Sequence, residues 1–198
     1  MSSLPETILL HSQSLSEGGV TSPKEFLHLG SRAAIDQALS RLTKEGKLLR
    51  VARGTYVTPV SSRFGVRAPA PEKVVEALAA QNGELIAAHG ACAANTLCLT
   101  QQAPVRQVYL TSGPGRKLKF GSAEVLLKHV PRWMLALGTD PAGAAVRALA
   151  WRGPTHADTS LAKLRQTLPL GEWQTLAASR AALPSWMSRA IGAEAARG

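Results

Sequence analysis

SRAAIDQALSRLTKEGKLLRVARGTYV, residues 31–57, decides how the N-terminal part of this chain is read. It runs from an Ala-rich helical pattern into a short ribbon bent at Arg53-Gly54. Ala34, Ile35, Ala38, Leu39 and Leu42 recur at i, i+1, i+4, i+5 and i+8, which is an apolar stripe on a helix. The other face carries Arg32, Ala33, Asp36, Gln37, Ser40 and Lys44, with Arg41 on its flank. Ser31 can cap the start of this helix, and Gly46 ends it. Residues 47–58 then hold β-branched and basic residues around Gly54, which can take the positive φ of a tight hairpin.

Upstream, Ile8, Leu9 and Leu15 fall at roughly helical spacing within residues 5–15. Thr21-Ser22-Pro23-Lys24-Glu25 is a better start signal: Ser22 at N-cap, Pro23 at N1 and Glu25 at N3 form a capping box. That helix is short, because Leu29-Gly30 interrupts it, and Gly30 can take the positive φ that ends a helix. Helix, short helix, turn, longer helix and hairpin is the order of a winged helix-turn-helix, whose long helix enters the major groove while the hairpin reaches flanking backbone. The expected DNA-contacting residues are Ser31, Arg32, Ala33, Gln37, Ser40, Arg41 and Lys44 on the helix and Arg50 and Arg53 on the hairpin. Residues 31–67 contain eight Lys or Arg against two acids, a local charge of +6. The competing reading is a winged helix that touches only protein, with its charges solvated.

Composition agrees with a polyanionic partner. The chain has 198 residues, 45% of them hydrophobic, so a packed core is expected rather than disorder. Lys and Arg number 23 against 13 Asp and Glu, a formal +10, which suits nucleic acid or an anionic surface. The N-terminus MSSLPETILL lacks the pattern of a secretory leader, and no run approaches the ~20 apolar residues of a membrane span. A cytoplasmic protein with no membrane partner is expected. Cys92 and Cys98, the only two cysteines, match neither a disulfide framework nor a zinc spacing and are expected to be small buried residues.

The expected fold class is α+β. Residues 1–60 form the winged helix-turn-helix domain, 61–71 a linker, and 72–198 a mixed α/β domain that is mainly helical from about 131. Residues 58–71 carry three prolines, two serines and a glycine, which disfavour regular structure. Beyond them a helix is expected over 71–81, a strand over 84–88, a small helix over 91–97 and a strand over 106–111. RKLKF and AEVLLKHV read as a hairpin around Gly121-Ser122, with Leu118 and Phe120 facing in and Lys117 and Lys119 facing out. Arg116, Lys117, Lys119 and Lys128 then make a second basic surface for an anion or a toxin, unless they only guard a sheet edge.

Catalytic signatures are absent from the sequence. GPGRK at 113–117 lacks phosphate-loop spacing and reads as a hairpin turn. Between 72 and 130 the acids are Glu72, Glu76, Glu84 and Glu124, too few for a clear metal cluster. Glu72 and Glu76 read as a solvated pair, and only the fold decides whether Glu84 meets Glu124. The five histidines are scattered and are read as structural or solvent-facing. No metal, no cofactor and no catalytic residue is expected.

LGSRAAIDQALSRLTKEGKLLRVARGTY (29–56) resembles the winged helix of AbiEi-like antitoxins, and ACAANTLCL (91–99) with VYLTSGPGRKLKFG (108–121) resembles that family's second domain. The likeness covers roughly residues 4–155. It implies a type IV antitoxin encoded beside a nucleotidyltransferase-like toxin, whose N-terminal domain represses the shared promoter through inverted repeats in double-stranded DNA. The second domain would carry the antitoxin activity, without a stable toxin complex being required, in a setting of phage defence. A stand-alone winged-helix regulator and, further off, an RNA- or DNA-processing enzyme or accessory are the alternatives.

Overall fold

The computed structural model describes residues 3–63, 65–102 and 105–197. Met1, Ser2, Phe64, Ala103, Pro104 and Gly198 lie outside the described residues, and so do the parts of the N-terminal and 58–71 readings that fall on them.

The chain is mixed α and β. It begins with helix α1 (Leu4–Ser14), where the Ser3 N–H donates to the Glu6 carboxylate at 2.8 Å. Strand β1 (Val20–Thr21) follows, then a 3-10 turn over Pro23–Phe26. Helix α2 (Arg32–Lys44) leads into the hairpin β2 (Leu49–Ala52) and β3 (Thr55–Val57). A second small hairpin, β4 (Val60–Ser62) with β5 (Gly65–Arg67), precedes helix α3 (Pro71–Asn82). Then come β6 (Ile86–Ala88), α4 (Gly90–Thr96), β7 (Gln107–Thr111), β8 (Arg116–Phe120) and β9 (Ala123–His129). Helices α5 (Pro141–Arg152), α6 (Ala157–Thr167), α7 (Leu170–Ala178) and α8 (Ser185–Ala196) complete the chain. None of these helices is long and apolar enough to cross a membrane, among the described residues.

Two compact units emerge. The first comprises Met1–Glu84 and Arg116–Leu126, the second Leu85–Gly115 and Leu127–Gly198. The first unit is built around α2. Its stripe residues Ile35, Leu39 and Leu42 are buried with Ile8, Phe26, Leu48 and Tyr56. Burying each such side chain contributes about 1.5–3 kcal/mol, far more than helix propensity, so the stripe determines which face of α2 turns inward. Ser31 caps α2 as its spacing implies, its Oγ accepting the Ala34 N–H at 3.2 Å. Strands β1, β3 and β2 pair antiparallel in that order, with an irregularity between Arg50 and Ala52. Gly54 has φ +69°, which lets the β2–β3 connection stay tight.

The capping box at Ser22 is present, with its N–H donating to Glu25 at 2.7 Å, but it opens a 3-10 turn rather than an α-helix. Gly30 does not use the positive φ open to it, and the turn closes earlier, through the Leu29 N–H on the Phe26 carbonyl at 2.8 Å. Residues 60–62 and 65–67 also differ from expectation: they pair antiparallel, Val60 opposite Arg67, despite the nearby prolines. Glu17 ties this segment down, accepting from the Arg67 guanidinium at 3.2 Å, the Ala70 N–H at 3.3 Å and Lys73 Nζ.

In the second unit, the core joins Ala145, Val146, Leu149, Leu161, Leu164, Trp173, Leu176, Met187 and Ile191 from the four C-terminal helices. Helix α4 packs against α5 through Ala93, Ala94 and Ala148. The approach is close because Gly90 has no side chain: a Cβ there would lie 2.4 Å from the Arg147 carbonyl oxygen.

Two further expectations are corrected. The GPGRK segment is not a hairpin turn, since the sheet order is β6-β7-β9-β8 and β9 lies between the strands that it connects. The cysteines are not buried: Cys92 is half-buried and Cys98 exposed. Cys98 occupies the left-handed position after α4, at φ +56°, with the Leu99 N–H returning to the Ala94 carbonyl at 2.8 Å.

Candidate nucleic-acid interface

The outward face of α2 is free of the first unit's core. Arg32, Ala33, Asp36, Gln37, Ser40, Arg41 and Lys44 are all exposed, as is the capping residue Ser31. Ala33, Gln37, Ser40, Arg41 and Lys44 fall at i, i+4, i+7, i+8 and i+11, so they make one stripe along the helix. Two arginines of the helix are held by acids one turn on. Arg32 Nε lies 3.0 Å from Asp36 Oδ2, and Arg41 Nε 2.9 Å from Glu45 Oε1. Glu45 also accepts Lys47 Nζ at 2.8 Å. Lys47 first and Arg41 second hold its carboxyl below the usual carboxylate range. Pairs this exposed contribute at most about 1 kcal/mol, so either arginine can exchange its acid for a phosphate or a base edge at little cost.

Arg50 and Arg53 are exposed on the hairpin, Arg53 at its bend beside Gly54. Both line an open cleft of about 670 Å³ with Val51, Ala52, Thr55, Arg116, Lys117 and Lys119. The hairpin and β8, separated by some sixty residues of sequence, therefore share one surface of the first unit. Alternation along β8 buries Leu118 and Phe120 and exposes Lys117 and Lys119, as the sequence pattern implies.

The four residues expected to form a second basic surface divide three ways. Lys117 and Lys119 face the cleft, and Lys117 Nζ also meets Glu124 at 3.1 Å. Arg116 borders the cleft, but its guanidinium grips Glu84 with two 2.9 Å hydrogen bonds. Lys128 instead lines a cavity of about 400 Å³ in the second unit, beside His89, His129 and Arg147. Glu84 and Glu124 do not combine into a metal site: each is taken by a cation, from neighbouring positions of β8 whose side chains point to opposite faces. Among the described residues no group of three or more His, Cys, Asp or Glu could hold a metal ion.

In the second unit's cavity, burial pushes the His89 pKa below the ordinary histidine value, and the charge of Lys128 adds to the effect. The His89 Nδ1 accepts the Ala91 N–H at 3.2 Å, so the ring caps α4 in its neutral form. Arg147 is 2% exposed and donates to the Gly138 carbonyl at 2.7 Å. Desolvation lowers its pKa. Nothing in the spacing of an Ala-rich helix marks Arg147 as buried, and sequence reasoning did not single it out.

Residues 7–168 match the Family of unknown function (DUF6088), and the chain belongs to that family. No curated protein matches it, and no solved structure does.

Proposed function

We propose that the first unit is a winged helix-turn-helix that binds double-stranded DNA and that the chain represses its own operon as the antitoxin of a toxin–antitoxin pair. The observation that carries the DNA-binding part is the stripe on α2. A helix whose apolar side is committed to the core presents Gln37, Ser40, Arg41 and Lys44 together on the opposite side, with Arg32 exposed on the flank of its first turn. Arginine and glutamine are the side chains that read base edges in pairs of hydrogen bonds. The β2–β3 hairpin, with Arg50 and Arg53 exposed, supplies the wing that reaches backbone phosphate.

The antitoxin part rests on the resemblance of residues 29–56, 91–99 and 108–121 to AbiEi-like proteins, and its functional partner is a nucleotidyltransferase-like toxin encoded next to it. The experiment is a binding titration of the full chain with the duplex upstream of its own gene and with a shuffled duplex of equal length. Preference for the upstream duplex is expected, with protection of an inverted repeat in a footprint. Equal affinity for the two duplexes overturns the repressor reading. Growth rescue on co-expression with the neighbouring reading frame tests the antitoxin reading separately.

A further inference from the structure

We infer that strand β8 belongs to the duplex-binding surface: Arg50 and Arg53 of the hairpin and Lys117 and Lys119 of β8 line one cleft that seats the sugar-phosphate backbone of double-stranded DNA. This rests on the reading of α2 and the hairpin as duplex-binding elements. It adds to them a strand that sequence spacing sets apart as a separate surface.

Of the eight described residues lining the cleft, five are cationic and none is acidic. Arg50, Arg53 and Lys119 have no acidic partner among the described residues. Lys117 is paired with Glu124, but the pair is exposed, 63% and 46%, and exchanges readily. Arg116, gripped by Glu84, holds the strand in place.

The arrangement suits a polymer better than a small anion. Lys117 and Lys119 lie two residues apart on one face of a strand, which spaces them about 6.6 Å along its axis. With Arg50 and Arg53 they put four cations around one open cleft of about 670 Å³, larger than a single phosphate needs. Among the described residues the cleft has no aromatic side chain. Single strands are usually held by stacking their bases on aromatic rings, so its lining favours duplex backbone. The lysines would also discourage pairing at a sheet edge, and that role alone predicts no effect on DNA affinity.

The test uses the full chain and fluorescence anisotropy over a salt series, with the upstream duplex and a random-sequence duplex as probes. Lys117→Gln with Lys119→Gln is expected to weaken both duplexes alike and to flatten the log–log salt slope by about 1.8, two contacts at ~0.9 each. Glu124→Gln is expected to tighten both, about two- to fivefold, by releasing Lys117 and removing an acid beside the backbone. Lys128→Gln, in the second unit's cavity, is expected to leave both affinities unchanged.

An unchanged slope in the double variant, with Arg53→Ala still flattening it, overturns the inference and leaves the hairpin reading intact. A loss in the double variant without a gain in Glu124→Gln indicates damage to the fold and counts against the inference. Failure of the unaltered chain to bind either duplex overturns the inference and the parent reading together.

Discussion

On the outer face of α2, Arg32 Nε lies 3.1 and 3.0 Å from the two carboxylate oxygens of Asp36, one turn on. Asp36 therefore holds the guanidinium against the helix until a stronger acceptor is offered. If Arg32 and Gln37 read bases, then Arg32→Ala and Gln37→Ala each reduce discrimination between specific and random duplex by about 1–3 kcal/mol. Random-duplex affinity should change less. Anisotropy titrations of both duplexes measure this, and equal losses on the two would remove these residues from base reading.

Arg53 sits at the hairpin bend and has a different expected signature. Arg53→Ala should weaken all duplexes by the same factor and flatten the salt slope by about 0.9, one phosphate contact. A slope equal to that of the unaltered chain would mean that the arginine is merely solvated.

Two glycine-to-alanine changes should act in opposite directions. At Gly90 the added Cβ meets the Arg147 carbonyl oxygen at 2.4 Å and Trp151 Cβ at 2.6 Å, so α4 and α5 must move apart. Gly90→Ala is expected to destabilise the protein by about 1–3 kcal/mol. Gly192, inside α8, has nothing within 4 Å of the same position. Gly192→Ala should stabilise by roughly 0.5–1 kcal/mol through helix propensity alone. Thermal unfolding of the two variants tests the pair, and a shared sign contradicts it.

His89 links the second unit's stability to pH. Its folded-state pKa is depressed, chiefly by burial and secondarily by Lys128. Above the ordinary histidine value both folded and unfolded chains hold a neutral ring, and its contribution is complete. As pH falls below that value the unfolded chain takes the proton first, and stability declines until the folded ring is also protonated. His89→Asn keeps a cap acceptor for α4 and removes the titration. Urea midpoints between pH 5 and 7.5 should fall less steeply on the acid side for the variant. Parallel curves would assign the acid sensitivity elsewhere.

Much of the first unit was legible because its signals are local. The apolar stripe of α2, the Ser31 cap, Gly54 at the bend and the alternation of Lys117 to Phe120 each lie within one element and one period. What escaped the sequence depends on distant partners. The Ser22 capping box marks a helical start but does not distinguish a 3-10 turn from an α-helix. The β8–β9 hairpin follows its local pattern, but the neighbour of β7 is decided by pairing, which sets β9 rather than β8 beside it and removes the hairpin expected at GPGRK. Likewise Arg116 and Lys117 are adjacent and chemically alike, yet opposite faces of one strand give the first to Glu84 and the second to Glu124.

The first unit is discontinuous, leaving at Glu84 and returning for Arg116–Leu126, and this constrains the order of events at the ribosome. A nascent chain released at residue 84 has α1, α2 and the hairpin but lacks β8, the partner of Glu84 and one wall of the cleft. The unit's last piece arrives only after residues 85–115 have been made. Premature termination between residues 84 and 115 therefore yields a fragment with α2 and without Lys117 or Lys119. A truncated allele of this kind separates the two halves of the proposed contact in one genetic step.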